Sequence, residues 1–571
     1  MAGSILENLS NRKLVVIVGF VMLTLLSCFL LGGLIAPAPT NADQVLGTVC
    51  AQETPTVPGD FSWKWAIPRG SKGATNCKVL HNLADDTKKN INITANHVVF
   101  TFQLPLPREH KNLDYSRWQQ NLMGVLHVEL YYDAKNPLKQ DPEVDMDIKM
   151  GYRDKHESAD TWHLLANSTE KRTLGCDLNG THHHQQDEHI YGYNCDALAL
   201  FELGSLHHDY YLVNIKFPIN REMTINQHFG LINEVWLVVI HQNGGFTKVW
   251  TTMKCFFLPL IIATMAWYWR RIKILERAPT LLECSIFGLA IVMAAIDVPI
   301  ELLTLFYEMP YMLLIHDIRQ GLFYASLFSF WLIFCGEHIL ENADNVERNR
   351  LSVYWKQFCG VIIGCTSLLI FDLCERGIHL ANPFYSIWST KLGRDMAQAF
   401  LTITTGCGAV YFFYLCHLCL RVRANISCKR SALPGMSETR RLFYEGIIYR
   451  FKFLLTATIV AAALTLVALF MSRWSEGQWK FDEDISLEYT SAFLTGVLGM
   501  WNCYVFILLV LYAPSHKNKG RSEPNDLNNL TDENQDSIEF SRLTHADSCN
   551  EVPECSGLAS LSEMAKKVAL D

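Results

Sequence analysis

The chain has 571 residues, 50% of them hydrophobic, a formal net charge of −8 and a mean hydropathy of +0.10. That average conceals blocks of opposite character. The summed charge excludes little, because in a membrane protein cations matter by side; it gives no reason to expect a nucleic-acid partner.

In chain order, residues 1–13 are short and polar and carry Arg12 and Lys13, an end expected in the cytosol. Leu14–Ile35 is one apolar run, inside a predicted anchor at 14–36. The run is long for the core of a signal peptide, and Ala36-Pro37-Ala38-Pro39 is a poor cleavage region, so an uncleaved anchor is expected.

Residues 37–250 form a polar block of domain size. Asn92, Asn167 and Asn179 head glycosylation sequons, which belong on the luminal side. Cys50, Cys77, Cys176 and Cys195 lie in this block and suggest two disulfides, with three connectivities open; Cys176–Cys195 would close a plausible loop. Val144, Met146, Ile148 and Met150 alternate with Asp145, Asp147 and Lys149, as in a strand with one buried face. Leu126–Leu130 and Tyr211–Phe217 alternate likewise, and 97–107 and 235–240 add further strands. Short strands between turns predict a luminal β-sandwich. His182, His183, His184 and His189 could bind metal, but their spacing defines no closed site, and a solvated loop tip is expected.

Hydrophobic runs then recur at 253–269, 281–306, 318–336, 354–374, 396–420, 452–472 and 490–512. These predict seven spans in 251–513, eight with the anchor. Arg270, Arg271, Lys273 and Arg277, and a 421–452 loop with eight basic residues against two acidic, read as cytosolic. The tail, 514–571, is polar and expected to be disordered and cytosolic.

The span around Asp317–His338 is unusual. Gly321, Ala325 and Ser329 stand four apart, a strip against which another helix can pack closely. Tyr324, Phe328 and Trp331 form an aromatic ridge on a neighbouring face. The helix reads either as the wall of a cavity or as part of a tightly packed bundle. Gly360 and Gly364 give the next span a matching small face, so the two either pack closely or bracket a slot. Asp317 and Arg319 share a luminal mouth with Asp372, Glu375 and Arg376. Asp297 and Glu301 flank Pro299 inside the preceding span. Carboxylates there are costly and are usually paired or face a cavity; they read as a proton relay or as a structural pair with Arg319.

No GxSxG, HExxH or Walker loop is present, so neither enzyme activity nor a cofactor or metal is expected. Tyr444-Glu-Gly-Ile447 fits a Tyr-x-x-Φ sorting signal of the kind clathrin adaptors read. Cys416, Cys419 and Cys428 are either palmitoylation sites or packing thiols.

Taken together, IHQNGGFTKVW (240–250), WYWRR (267–271), DIRQGLFYA (317–325), CGEH (335–338), CERG (374–377), NPFYSIW (382–388), RRLFYEGIIYRFKF (440–453) and LYAPSHK (511–517) closely resemble the Wntless family. The resemblance covers nearly the whole chain. It implies a luminal β-sandwich on a seven-helix bundle similar to that of G-protein-coupled receptors, with one added N-terminal helix. It also implies an escort for palmitoleoylated Wnt proteins, with the acyl chain sheltered between the fourth and fifth spans (anchor counted first). Membrane lipids, a clathrin adaptor and retromer-type recycling machinery are the further partners implied. A heptahelical signalling receptor and a proton-coupled transporter using Asp297 and Glu301 are the alternatives.

Overall fold

The computed structural model describes residues 5, 9, 11–52, 57–68, 77–80, 95–107, 113–132, 137–138, 142–179, 192–220, 225–226, 231–339, 351, 354–432, 448, 452, 455–464 and 488–514. It is a multi-pass α-helical protein with a β-sandwich between its first helix and the rest.

Twelve strands build the sandwich: β1 (Thr40–Leu46), β2 (Thr48–Ala51), β3 (Lys78–Val79), β4 (Val98–Leu104), β5 (Leu122–Tyr131), β6 (Glu143–Arg153), β7 (His163–Thr173), β8 (Cys176–Asn179), β9 (Gly192–Cys195), β10 (Leu198–Leu203), β11 (Tyr210–Lys216) and β12 (Leu231–Gln242). One sheet runs β1-β12-β5-β9-β8, with β10 also on β5; the other runs β3-β2-β4-β11-β6-β7. Leu122, Leu126, Val128 and Leu130 of β5 face Val144, Met146, Ile148 and Met150 of β6 in one apolar core. Disulfides join Cys50 to Cys77 and Cys176 to Cys195.

The outer face of β6 departs from the alternation rule. Asp145, Asp147 and Lys149 are buried like their apolar neighbours. Residues 57–68 lie across this face as a third layer, where Asp147 and Lys149 find partners, while Asp145 pairs with Lys171 of β7 at 3.5 Å. Asp147 accepts from the Gly59 N–H at 3.1 Å and from Thr169 Oγ1 at 2.6 Å. Lys149 donates to the Trp63 carbonyl at 3.0 Å and lies 4.4 Å from the Trp65 ring centroid. Asn214 of β11 holds the same layer by exchanging hydrogen bonds with both main-chain groups of Ala66. The polar residues alternate because they pin a covering segment, as satisfied buried polar groups can.

The helices are α1 (Asn11–Leu30), α2 (Gly244–Ile274), α3 (Leu281–Asp297), α4 (Met312–Ile339), α5 (Trp355–His379), α6 (Lys391–Ala432), α7 (Leu455–Leu464) and α8 (Glu488–Leu511). Seven are long and apolar enough to cross a membrane, α1 included; α7, inside the expected 452–472 span, is shorter, and 465–487 lie outside the described residues. Pro299 ends α3 as a helix, and Ile300–Leu305 continues as a 3₁₀ segment.

Two chain connections hold the sandwich on the bundle. A π turn (Leu31–Ile35) leads from α1 toward β1, and β12 runs through Asn243 into α2. β1 and β12 pair along their whole length, from Thr40 opposite Gln242 to Leu46 opposite Trp236. The Asn243 side chain caps α2 by accepting from the Gly245 N–H at 2.8 Å. Below, α1 packs on α8 at close range: Ser491 Oγ donates to the Gly32 carbonyl at 2.7 Å and Thr495 Oγ1 to the Cys28 carbonyl at 3.0 Å. A Cβ added at Gly32 or Gly499 would collide with the opposite helix.

Candidate functional site

Three places concentrate the expected functional residues: the seam beneath the sandwich, a polar layer inside the bundle, and the flank of α4.

At the seam, Arg376 of α5 is clasped between two carboxylates. Its guanidinium lies 2.6 Å from Glu202 of β10 and 2.5 Å from Asp317 of α4. One cation therefore ties the sandwich to two helices. The loop after α5 completes the attachment. Phe384 is fully buried in the sandwich core, edge-on to Phe201. The Glu202 N–H donates to the Pro383 carbonyl at 3.0 Å. Arg172 donates to the Phe384 carbonyl at 2.5 Å while paired with Glu170 at 3.0 Å. Glu375 accepts from the Ile387 N–H at 2.8 Å, and Asp372 lies one turn before Arg376 on α5. On the other side, Arg117 donates to the Leu305 carbonyl at 3.0 Å and Gln120 to Thr304 Oγ1 at 3.0 Å. Near this contact the His207 imidazole is held below its ordinary pKa, first by burial and then by Arg117 and His208.

The five expected mouth charges do not all meet. Asp317 and Arg376 do. Arg319 instead turns toward the break in α3, donating to the carbonyls of Ala295, Ile296 and Val298. Nor does Arg319 pair with the intramembrane carboxylates, one of the two readings open for them. Among the described residues Glu301 is paired with Lys254 of α2 at 2.5 Å, both nearly fully buried. Asp297, fully buried, accepts from Asn502 Nδ2 of α8 at 3.1 Å. The physical reason is the break at Pro299: it frees main-chain oxygens that a guanidinium can cap, and it turns Glu301 toward α2. Sequence reasoning missed Lys254, Asn502, Glu202 and Phe384. Only Lys254 carried a usable signal, as an ionisable residue inside an apolar span.

On α4 the aromatic ridge is continuous. Tyr324 stacks on Phe328 with ring centroids 6.1 Å apart, and Phe328 approaches Trp331 at 5.9 Å and Tyr411 of α6 at 5.0 Å. Trp331 is buried and donates to Tyr504 of α8 at 3.3 Å, which fixes the lower end of the ridge. Of the two readings of the small-residue strip, close packing does not hold at Gly321: no neighbouring atom lies within 4 Å of a Cβ placed there. Gly364 does sit in a tight contact, but against Cys407 of α6 at 3.3 Å rather than against α4. The small faces of α4 and α5 therefore do not interlock at these glycines. The charged clasp joins the two helices at the end nearest the sandwich, and open space remains beside Gly321.

Asn167 is exposed on β7 and Asn179 ends β8. Asn92, Tyr444, Ile447 and the His182–His189 cluster lie outside the described residues.

Residues 48–242 match the family model described as Wntless, GOLD domain, and residues 243–516 match Wntless-like, transmembrane domain. The chain is similar to Protein wntless of Drosophila grimshawi and of Drosophila virilis, each 44% identical over 580 residues and aligned over 100% of both chains. Protein wntless of Drosophila mojavensis is 43% identical over the same span and coverage. Similarity of this extent runs through sandwich and bundle alike, and the chain belongs to the Wntless family.

Proposed function

We propose that this protein is an escort for secreted Wnt proteins that carry a palmitoleoyl chain. Residues 37–250 grip the protein part of the cargo on the luminal side, and 251–513 shelter its acyl chain. The full-length kinship supports the Wnt assignment. The observation that carries the lipid assignment is the flank of α4, where space beside Gly321 adjoins the Tyr324–Phe328 ridge directly below the clasped sandwich. Exposing a sixteen-carbon chain to water costs on the order of 10 kcal/mol at roughly 0.8 per CH₂. A carrier that buries the chain removes most of that cost and must later release it.

The reading extends to traffic. The termini lie in the cytosol, and the protein moves through the endoplasmic reticulum, Golgi, plasma membrane and endosomes. The Tyr444–Ile447 signal recruits a clathrin adaptor at the cell surface, and retromer-type machinery returns the empty carrier. Asn92, Asn167 and Asn179 carry glycans. The transporter alternative is weakened by the pairing of Glu301 with Lys254 and of Asp297 with Asn502, which leaves neither carboxylate alone in the bundle.

The test compares co-purification of the full chain with acylated Wnt and with unacylated Wnt. The acylated form should be retained at least tenfold better; equal capture of both would remove the acyl chain from the account.

A further inference from the structure

On the side of the bundle facing away from the sandwich, α2 and α3 together line an open groove of about 590 Å³. That volume falls within the range of about 300–1,000 Å³ usual for pockets that hold a small molecule. The walls are apolar: Met265 on α2, Ile291 on α3, and between them Trp269 stacked on Phe287 with ring centroids 4.7 Å apart. The outer rim is different in kind, carrying Arg270 and Lys273.

These two cations are available, whereas their neighbours are not. Arg277 is held by Glu283 at 2.6 and 3.0 Å, and Arg271 lies 5.0 Å from the Trp267 ring centroid. Arg270 and Lys273 are exposed and, among the described residues, have no acidic partner. Their height also matters. The 31 residues of α2 extend about 46 Å at 1.5 Å per residue, against a hydrocarbon core of about 30 Å. The last turns of α2 therefore reach the headgroup layer, with the apolar groove directly beneath them. An apolar slot capped at that depth by cations with no acidic partner among the described residues matches one class of molecule, whose hydrocarbon and negative charge lie in the same order.

We propose that the α2–α3 groove is a binding site for an anionic glycerophospholipid of the cytosolic leaflet, acyl chain against Trp269 and Phe287, phosphate at Arg270 and Lys273. The site is separate from the α4 flank: it opens on the opposite leaflet and shares no residue with it.

Native mass spectrometry of the full chain, released from micelles containing equal amounts of phosphatidylserine and phosphatidylcholine with identical chains, tests this. Each rim cation is worth about a fivefold gain for an anionic lipid, so wild type should retain phosphatidylserine more than tenfold over phosphatidylcholine. Arg270→Glu/Lys273→Glu should abolish the preference, and Ile291→Trp should reduce retention of both lipids. Arg270→Gln/Lys273→Gln carries the same test if charge reversal impairs folding. Equal retention of the two lipids by wild type, an undiminished preference in the rim variants, unchanged retention in Ile291→Trp, or displacement by soluble glycerophosphoserine would each overturn the proposal.

Discussion

The two sides of the helix bundle are built on different terms. Around α1, α2, α3 and α8 the contacts are close and specific: hydroxyl-to-carbonyl bonds between α1 and α8, and buried polar partners joining α2, α3 and α8. Around α4, α5 and α6 the helices are joined by hydroxyl bonds, such as Ser367 Oγ to the Phe400 carbonyl at 3.0 Å and Tyr411 to the Phe328 carbonyl at 3.1 Å, but among the described residues no ion pair joins them below the clasp, and the space beside Gly321 is open. The first side has committed its polar groups to holding one arrangement. The second leaves the flank of α4 at Gly321 open, where the proposed acyl site lies. The two sides thus differ in where their buried ion pairs lie, and the sandwich is fastened to both: through Gln120 to the first and through Glu202 to the second.

The largest effect is expected on the tight side. Lys254→Met leaves Glu301 buried without its counter-charge, at a cost of about 3–5 kcal/mol. Thermal unfolding of the purified chain should show a large loss, and Lys254→Met/Glu301→Leu should recover most of it. A single variant as stable as wild type would contradict that difference. At the seam, Arg376→Ala removes two charge-assisted contacts and should loosen the sandwich by about 1.5–3 kcal/mol. Faster hydrogen exchange in β10, with exchange in α8 unchanged, is the expected readout.

Glycines should separate the two sides of the open half. Gly364→Leu presses on Cys407 and should cost about 1–3 kcal/mol. Gly321→Leu meets no neighbour, so unfolding should barely change while capture of acylated cargo falls. Equal stability losses in both variants would mean that the space beside Gly321 is not retained.

The smallest effect is a pH dependence confined to the sandwich. Burial is the main reason that the Lys216 ammonium has its pKa lowered to about 8. Folding lowers this pKa, so the charged amine opposes folding below about pH 8, and that opposition fades as the pH rises further. Between pH 7 and 9.5 wild type should therefore gain stability relative to Lys216→Met; a constant difference would reject this.

Much of the fold was legible because it rests on long, repetitive signals. Seven of the eight expected apolar runs became helices long enough to cross a membrane, and the alternation of Leu126, Val128 and Leu130 became β5. What failed did so where partners came from far along the chain. Asp147 and Lys149 read as solvent-facing because nothing local announces that residues 57–68 will cover them. Arg319 read as a counter-ion because two carboxylates stood nearby in sequence, whereas the acceptors it uses are carbonyls exposed by a broken helix. Gly321 and Gly364 have the same four-residue spacing to a second small residue, yet one faces open space and the other faces α6. Small residues permit close packing without specifying which helix supplies it.

The central claim is that the cargo's acyl chain lies on the open side of the bundle, next to α4. Wnt carrying a photoreactive fatty acid, bound to the full chain, irradiated and mapped by peptide mass spectrometry, addresses it directly. Crosslinks should concentrate between Gly321 and Phe328 and on the facing part of α5. Crosslinks confined to α1 and α8 would contradict the account.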